Sequence, residues 1–408
     1  MGGVCCSKDG MYRESSMEED VDEREDEVDE EDDIRHGDGG ARIRLQGPSR
    51  FTSMYTQQGR KGINQDSMTV WEGFTGDKEM LFCGVFDGHG PSGHKVARHV
   101  RDTLPLNLSA ALKFSRINRS KYSDVDLVDE DDDDNHNNND DTIHCVSDNN
   151  SRNLSLPSWE ASLLETFKET DEVLCQDSSI DSFCSGSTAV AVVKQGCHLI
   201  IANLGDSRAI LSTRGDNNEL LPIQLTADMK PDILSEAERI RNCRGRVFAM
   251  HEEPDVYRIW MPDEDCPGLA MSRAFGDFCL KDHGLISTPE ISYRKLTDND
   301  EFIVLATDGV WDVLTNIEVI RIVASSKKRS MAAKLLVKRA VIAWRRKYPC
   351  SSVDDCTAIC LFLTNPPTTL TRPAPGPGVM TACDASCSRP LDRSMSFRCK
   401  RQGSKKVK

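Results

Sequence analysis

A set of acidic residues sits beside short apolar runs in this chain. Phe82-Cys83-Gly84-Val85-Phe86 leads into Asp87-Gly88-His89-Gly90. Residues 199–205 lead into Asp206, and residues 302–307 into Asp308-Gly309. Asp66 follows Gly62-Ile63-Asn64-Gln65, Asp277 follows Phe275-Gly276, and Asp354-Asp355 precede the apolar stretch 356–363. An acid at a strand end is cheap when solvated and very costly when buried alone. Converging carboxylates also repel one another and raise each other's pKa. A divalent cation removes both problems. Hard carboxylate oxygens and glycine carbonyls suit Mg²⁺ or Mn²⁺, which keep several of their waters. Two such ions can share a water, lower its pKa and stabilise charge on a phosphoryl group. A glycine beside a ligand aspartate lets the backbone carbonyl approach the ion. A single Asp-Gly pair is an ordinary turn former, so the signal lies in the set.

Competing chemistries lack their residues. No Cys-x5-Arg loop stands between a strand and a helix, as a cysteine nucleophile would need. Gly205-Asp206-Ser207 has the look of a serine-hydrolase block, but the late Asp-x-x-His partner is missing. None of the 16 cysteines forms a Cys-x-x-Cys pair, and no Cys/His spacing matches a zinc module. The acidic runs lack the loop pattern of an EF-hand. His144, His198, His251 and His283 have no partner spacing.

The net charge of −15 on 408 residues is concentrated in two places. Residues 18–33 hold 13 acids and one arginine, and residues 124–141 hold 10 acids and no Lys or Arg. Without them the rest of the chain carries roughly +7. Total charge therefore argues neither for nor against nucleic-acid binding, and no nucleic-acid partner is expected. The first 20 residues lack an apolar core segment, and no run of about 18 apolar residues exists. An intracellular protein with reduced thiols is the economical expectation.

Residues 1–46 read as a disordered acidic extension, 47–364 as the folded domain, and 365–408 as a Pro/Ser-rich and then basic tail. Residues 115–155, rich in Asp, Asn and Ser, read as a solvated insertion loop. Strands are expected at 80–86, 187–193, 197–202, 209–212 and 302–307. Helices are expected at 93–104, 158–175, 233–242 and 331–348, the second with Leu164, Phe167 and Leu174 on one side and the last as an outer amphipathic helix. Short paired strands without βαβα alternation predict an α+β layered sandwich.

The flanks of the acids resemble the metal-dependent protein phosphatases of type 2C, in their plant-like branch. The resemblance rests on Gly62–Asp66, Val85–Gly90, Ser185–Ala189, Ala202–Ala209, Leu269–Asp277, Ala306–Asp312 and Val353–Thr357, in the family's order. It implies two antiparallel β-sheets packed as a central sandwich, with helices on both outer faces. It implies two Mg or Mn ions at one end, with a weaker third. Asp87 would bridge the pair and Gly88 would give its carbonyl to one ion. Asp277, Asp308 and Asp354 would hold the other ion or its waters, and Asp66 would act through water. Asp206 matches the third-ion position, with Asp282 nearby. His89 would be the general acid, and Lys61 or Arg60 would grip the phosphate. The implied reaction is hydrolysis of phosphoserine and phosphothreonine by direct attack of metal-activated water, with no phosphoenzyme. Gln65 stands where many relatives have Glu, and Asp355 where Asn is usual, which leaves Asp354 and Asp355 as alternative ligands.

Gly2 after Met1 fits myristoylation, and Cys5-Cys6 fit palmitoylation, although Cys6 stands where Ser or Thr is preferred. With the basic tail, these features point to peripheral attachment at the cytoplasmic face of the plasma membrane, with cytosol and nucleus as competitors. Phosphorylated proteins are the expected partners, and a monomer is expected. The competing class is a regulator on the same fold that docks a kinase without turnover.

Overall fold

The computed structural model describes residues 40–45, 51–122 (backbone only over 117–122) and 155–363. Gly2, Cys5, Cys6, the acidic runs and the C-terminal tail lie outside the described residues. The chain begins with β1 (Ala41–Arg44), β2 (Thr52–Gln57), β3 (Ser67–Glu72), β4 (Met80–Phe86) and the two-residue β5 (Gly88–His89). Then come α1 (Gly93–Tyr122), α2 (Leu156–Gln176), β6 (Gly186–Ser187), β7 (Ala189–Gln195), β8 (His198–Leu204), β9 (Arg208–Arg214) and β10 (Leu220–Gln224). It continues with α3 (Leu234–Asn242), β11 (Arg246–Met250), β12 (Glu253–Trp260), β13 (Pro267–Leu269), β14 (Phe275–Gly276) and α4 (Phe278–Lys281). Last are β15 (Glu290–Lys295), β16 (Asp300–Ala306), α5 (Asp308–Trp311), α6 (Asn316–Ala324), α7 (Ala332–Lys347) and β17 (Cys356–Phe362).

Two sheets form the centre, in the orders β1-β3-β4-β7-β8-β15 and β10-β9-β16-β17-β2. Alternation along single strands shows how they pack. In β4, Leu81, Cys83 and Val85 meet Ile303, Leu305, Ile359 and Leu361 of the other sheet. Phe82 and Phe86 of the same strand point outward to Val96, Leu104 and Phe167 of α1 and α2. In β16, Ile303 and Leu305 face inward, while Phe302, Val304 and Ala306 face α6 and α7. These strands read as continuous apolar runs because helices cover the sandwich on both sides. The expected sandwich is therefore present, antiparallel throughout except where β1 pairs parallel with β3.

β1 corrects the expectation that residues 1–46 lie wholly outside the fold. A four-residue edge strand with two arginines carries almost no apolar signal. It is held by Arg42 pairing with Asp102 at 2.7 Å and by Arg44 over the Trp71 ring at 4.0 Å. The insertion also begins later than expected, since α1 continues through Pro105 to Tyr122. Leu104, Leu108 and Leu112 recur every four residues and are all buried, which sustains the helix past the proline. In α2 the inward residue is Leu163, whereas Leu164 is exposed. α7 behaves as expected, burying Leu336, Val337, Ala340 and Trp344. Among the described residues no helix is long and apolar enough to cross a membrane.

Candidate active site

The site lies where strands of both central sheets end. β4 delivers Asp87, whose N–H donates to Thr188 Oγ1 at 3.0 Å while its carbonyl accepts from Thr188 N at 2.8 Å. Thr188 Oγ1 in turn lies 2.8 Å from Ser207 Oγ, so the residues after β4, β6 and β8 are tied together. A Cβ on Gly88 would fall 2.3 Å from the Gly93 carbonyl oxygen and 2.7 Å from that of Gln65. Only glycine fits there. A third, miniature sheet of β14, β6 and β5 pairs Gly276 with Gly186 and Gly186 with His89. It brings Asp277 beside His89, with Oδ2 and Nε2 2.5 Å apart.

Asp66, Asp87, Asp308 and Asp354 gather into one group. Burial pushes the Asp87 carboxyl well above the usual carboxylate range, and Asp308, Asp66 and Asp354 push it further. Asp308 is raised by burial and then by Asp206, Asp312 and Asp354. Asp66 is raised to about 7, chiefly by burial, against the hydroxyl bonds of Thr357 and Thr307. Its Oδ2 accepts from Thr307 Oγ1 at 2.9 Å, while buried Oδ1 has no partner. Asp206 repeats the pattern. It is buried and raised chiefly by burial, and Oδ1 is unpartnered, with Lys230 Nζ 3.5 Å from Oδ2.

Among the described residues no three His, Cys, Asp or Glu side chains stand ready as a metal shell. The donor set nevertheless suits divalent cations: hard oxygens, two of them buried and orphaned, with a glycine carbonyl beside them.

Geometry distinguishes the two candidates that stand just before β17. Asp355 spends Oδ1 on Gly59 N at 2.7 Å and Oδ2 on Gln65 N at 2.8 Å. It clamps the 59–65 loop through both oxygens, while its charge also raises the Asp66 carboxyl. Asp354 pairs with Lys61 and raises Asp87, Asp308 and Asp66. Burial works against the Lys61 ammonium, but Asp354, Asp308 and Asp87 together hold its pKa above the usual lysine value. Lys61 is mostly exposed at the rim of the cluster, whereas Arg60 is exposed and fixed by its backbone to Val353 at 2.7 Å. Gln65 Nε2 donates to the Gly90 carbonyl at 2.9 Å, a bond that Glu cannot make. Asp282 is exposed at the end of α4.

His89 is desolvated, which lowers its pKa, but the Asp277 carboxylate more than reverses this and the net shift is upward. Asp277 holds a left-handed backbone at φ 50, an uncommon conformation for a non-glycine residue, fixed by Ser185 O accepting its N–H at 3.0 Å. Lys230 was not visible as a site residue. It belongs to the segment after β10, where Met229 N bonds Gly205 O at 2.9 Å and Ser272 N bonds Met229 O at 2.7 Å. Nothing in a lone Lys-Pro pair announces that position.

Comparison with known proteins agrees with this geometry. The family model described as Protein phosphatase 2C matches residues 132–345. The chain is 52% identical over 351 residues to probable protein phosphatase 2C 73 of Oryza sativa subsp. japonica, covering 86% of this chain and 79% of that protein. It is 50% identical over 366 residues to probable protein phosphatase 2C 65 of Arabidopsis thaliana, covering 90% and 89%. Among solved structures, the serine-threonine phosphatase 2C from Toxoplasma gondii shares the fold at a TM-score of 0.63 and 23% identity, over 76% of this chain and 94% of that one. A sandwich with a carboxylate-lined end and this sequence relationship define the class: the chain belongs to the protein phosphatase 2C family.

Proposed function

We propose that this chain hydrolyses phosphoserine and phosphothreonine in proteins, with Mg²⁺ or Mn²⁺ as its cofactor. The observation that carries the reading is the group of buried carboxylates lacking enough protein cations. Asp87, Asp66, Asp277, Asp308 and Asp354, with the Gly88 carbonyl, are the residues that would hold two ions, and Asp206 would hold a weaker third. Bound ions of this kind neutralise phosphoryl charge and lower the pKa of a water so that it can attack phosphorus.

The chain's own residues supply the rest. Lys61 projects its ammonium at the cluster's rim, where it suits phosphate oxygens as a point charge rather than a bidentate fork. Asp277 holds Nε2 of His89 and favours its protonated form, so the proton on the unpartnered Nδ1 is the one that would serve the departing seryl or threonyl oxygen. Thr188 and Asp355 fix the backbone around Asp87 and Gln65 without touching substrate.

The test is turnover of a phosphothreonine peptide by the full chain with Mn²⁺. Activity abolished by chelator and by His89→Ala at saturating metal supports the enzyme. No turnover with any divalent ion, despite measurable metal binding, favours the regulator that docks a kinase. Lipid attachment at Gly2 with Cys5 and Cys6 belongs to the same proposal for location. A Gly2→Ala variant with an unchanged membrane fraction would remove it.

A further inference from the structure

Between the start of α1, the segment after α2 and α4, the surface opens into a trough of about 510 Å³. Three segments line it, and each is tied to a residue of the site. Ser92 and Lys95 follow His89 by three and six positions. Ile180, Ser182 and Phe183 lie between α2 and β6, and Phe183 precedes Gly186 by three positions. Phe278 follows Asp277 directly. Gly186 touches the catalytic pair itself: a Cβ there would stand 2.1 Å from Asp277 Oδ2 and 2.6 Å from His89 Nε2. Three residues of chain span at most about 10 Å, so Phe183 stands within that reach of the reacting end.

Phe183 is 62% exposed, although its backbone is firmly held. Its carbonyl accepts from Cys279 N at 3.0 Å, and that of Ser182 accepts from Phe278 N at 3.3 Å. Ser185 Oγ accepts from Ser92 N at 2.9 Å. The ring is thus presented on a backbone stapled to α4 and to the start of α1. Single exposed apolar residues are common on protein surfaces. This one borders a trough with the partly buried Ile180 and Phe278, beside Lys95, Asp177 and Asp181, and Phe278 directly follows Asp277 in the chain.

We propose that the trough binds the substrate polypeptide next to its phosphorylated residue and selects a large apolar side chain, with Phe183 as the specificity residue. An extended peptide rises about 3.3 Å per residue, so the selected side chain lies about two to four positions from the phosphorylated one. The inference rests on the phosphatase reading above.

The experiment uses the full chain with Mn²⁺ and three substrates. Two are phosphothreonine peptides alike except for Leu or Ser at the second to fourth positions on either side. The third is p-nitrophenyl phosphate, too small to reach the trough. Wild type is expected to favour the Leu peptide by roughly tenfold in kcat/KM, as apolar pockets commonly discriminate. Phe183→Ser should erase that preference through KM, leave p-nitrophenyl phosphate within about twofold, and be partly rescued by Phe183→Leu. No preference in wild type overturns the proposal. So does a parallel loss on p-nitrophenyl phosphate in Phe183→Ser, because Phe183 would then only hold the site together. A wild type inert on all three substrates removes the phosphatase reading and the trough's role with it.

Discussion

Two groups of buried acids in this fold are handled in opposite ways. Glu236 of α3 is wrapped by cations. Its Oε1 accepts from Arg239 Nη1 at 2.7 Å and Arg273 Nη2 at 2.8 Å. Its Oε2 accepts from Arg239 Nη2 at 2.8 Å, Arg273 Nε at 3.0 Å and Ser272 Oγ at 2.6 Å. Burial alone would raise this carboxyl, but the Arg273, Arg239 and Ser272 bonds outweigh it and hold the group at about 2. Asp87, Asp66 and Asp308 have Lys61 and Lys230 only at their margins, and their carboxyls are pushed up. A buried acid whose counter-charge is built into the chain ties α3 to the strand leading to Asp277. A buried acid left short of counter-charge leaves room for a cation from solution. The same desolvation thus yields a strut in one place and, in the other, the uncompensated group proposed above to hold metal.

The comparison breaks most visibly at Asp87. Asp87→Asn is expected to lower turnover with Mn²⁺ by ~10³-fold, since several kcal/mol of charge stabilisation are removed at tenfold per 1.36 kcal/mol. The metal-free variant should melt higher than wild type, because one repelling charge is gone. A lower melting temperature would mean that Asp87 is a strut like Glu236.

Glu236→Ala should behave in the reverse sense. It leaves two guanidiniums without their carboxylate and is expected to cost about 3–5 kcal/mol in denaturant unfolding. Because Glu236 is depressed when folded, its contribution is present above the ordinary Glu range and lost as pH falls from about 4.5 toward about 2. A variant whose unfolding midpoint does not move would show that the arginines find other partners.

Metal should reverse the pH response of the other group. Asp66 binds its proton more tightly folded than unfolded, so metal-free stability should fall as pH rises from its ordinary value of 3.8 to about 7. Mn²⁺ at 100 times its dissociation constant adds about 2.7 kcal/mol. At one fixed Mn²⁺ concentration the gain should be larger at pH 7.5 than at pH 5, read as paired thermal shifts. Equal shifts at both pH values would disconnect the carboxylates from the ion.

The smallest effect contrasts neighbours. Asp355→Ala strands two backbone N–H groups and is expected to cost about 1–3 kcal/mol of stability. Asp354→Asn should leave stability within about 0.5 kcal/mol while weakening Mn²⁺ binding, measured by calorimetry. The opposite assignment of losses would exchange their roles.

Much of this was legible along the chain. The strand Met80–Phe86 and the acid after it follow from local pattern: seven apolar residues, then a glycine turn. Strands with mixed composition were silent, among them β1, β11 and β15, because edge positions keep charged residues that obscure alternation. The continuation of α1 past Pro105 was hidden for a related reason. The proline rule is local, whereas the burial of Leu108 and Leu112 is not.

By itself the sequence determined the identity of the acids, their glycine neighbours and the strands that carry them, since these depend on residues adjacent in the chain. Only the tertiary structure decided which acids share a volume and which have partners. Asp354 and Asp355 are consecutive, yet one pairs with Lys61 at the rim while the other accepts from Gly59 and Gln65, nearly 300 positions away. Glu236 and Asp66 are both buried acids, and the difference between them is the presence of Arg239 and Arg273. Electrostatic energy depends on distance through space, which folding sets and the order of residues does not.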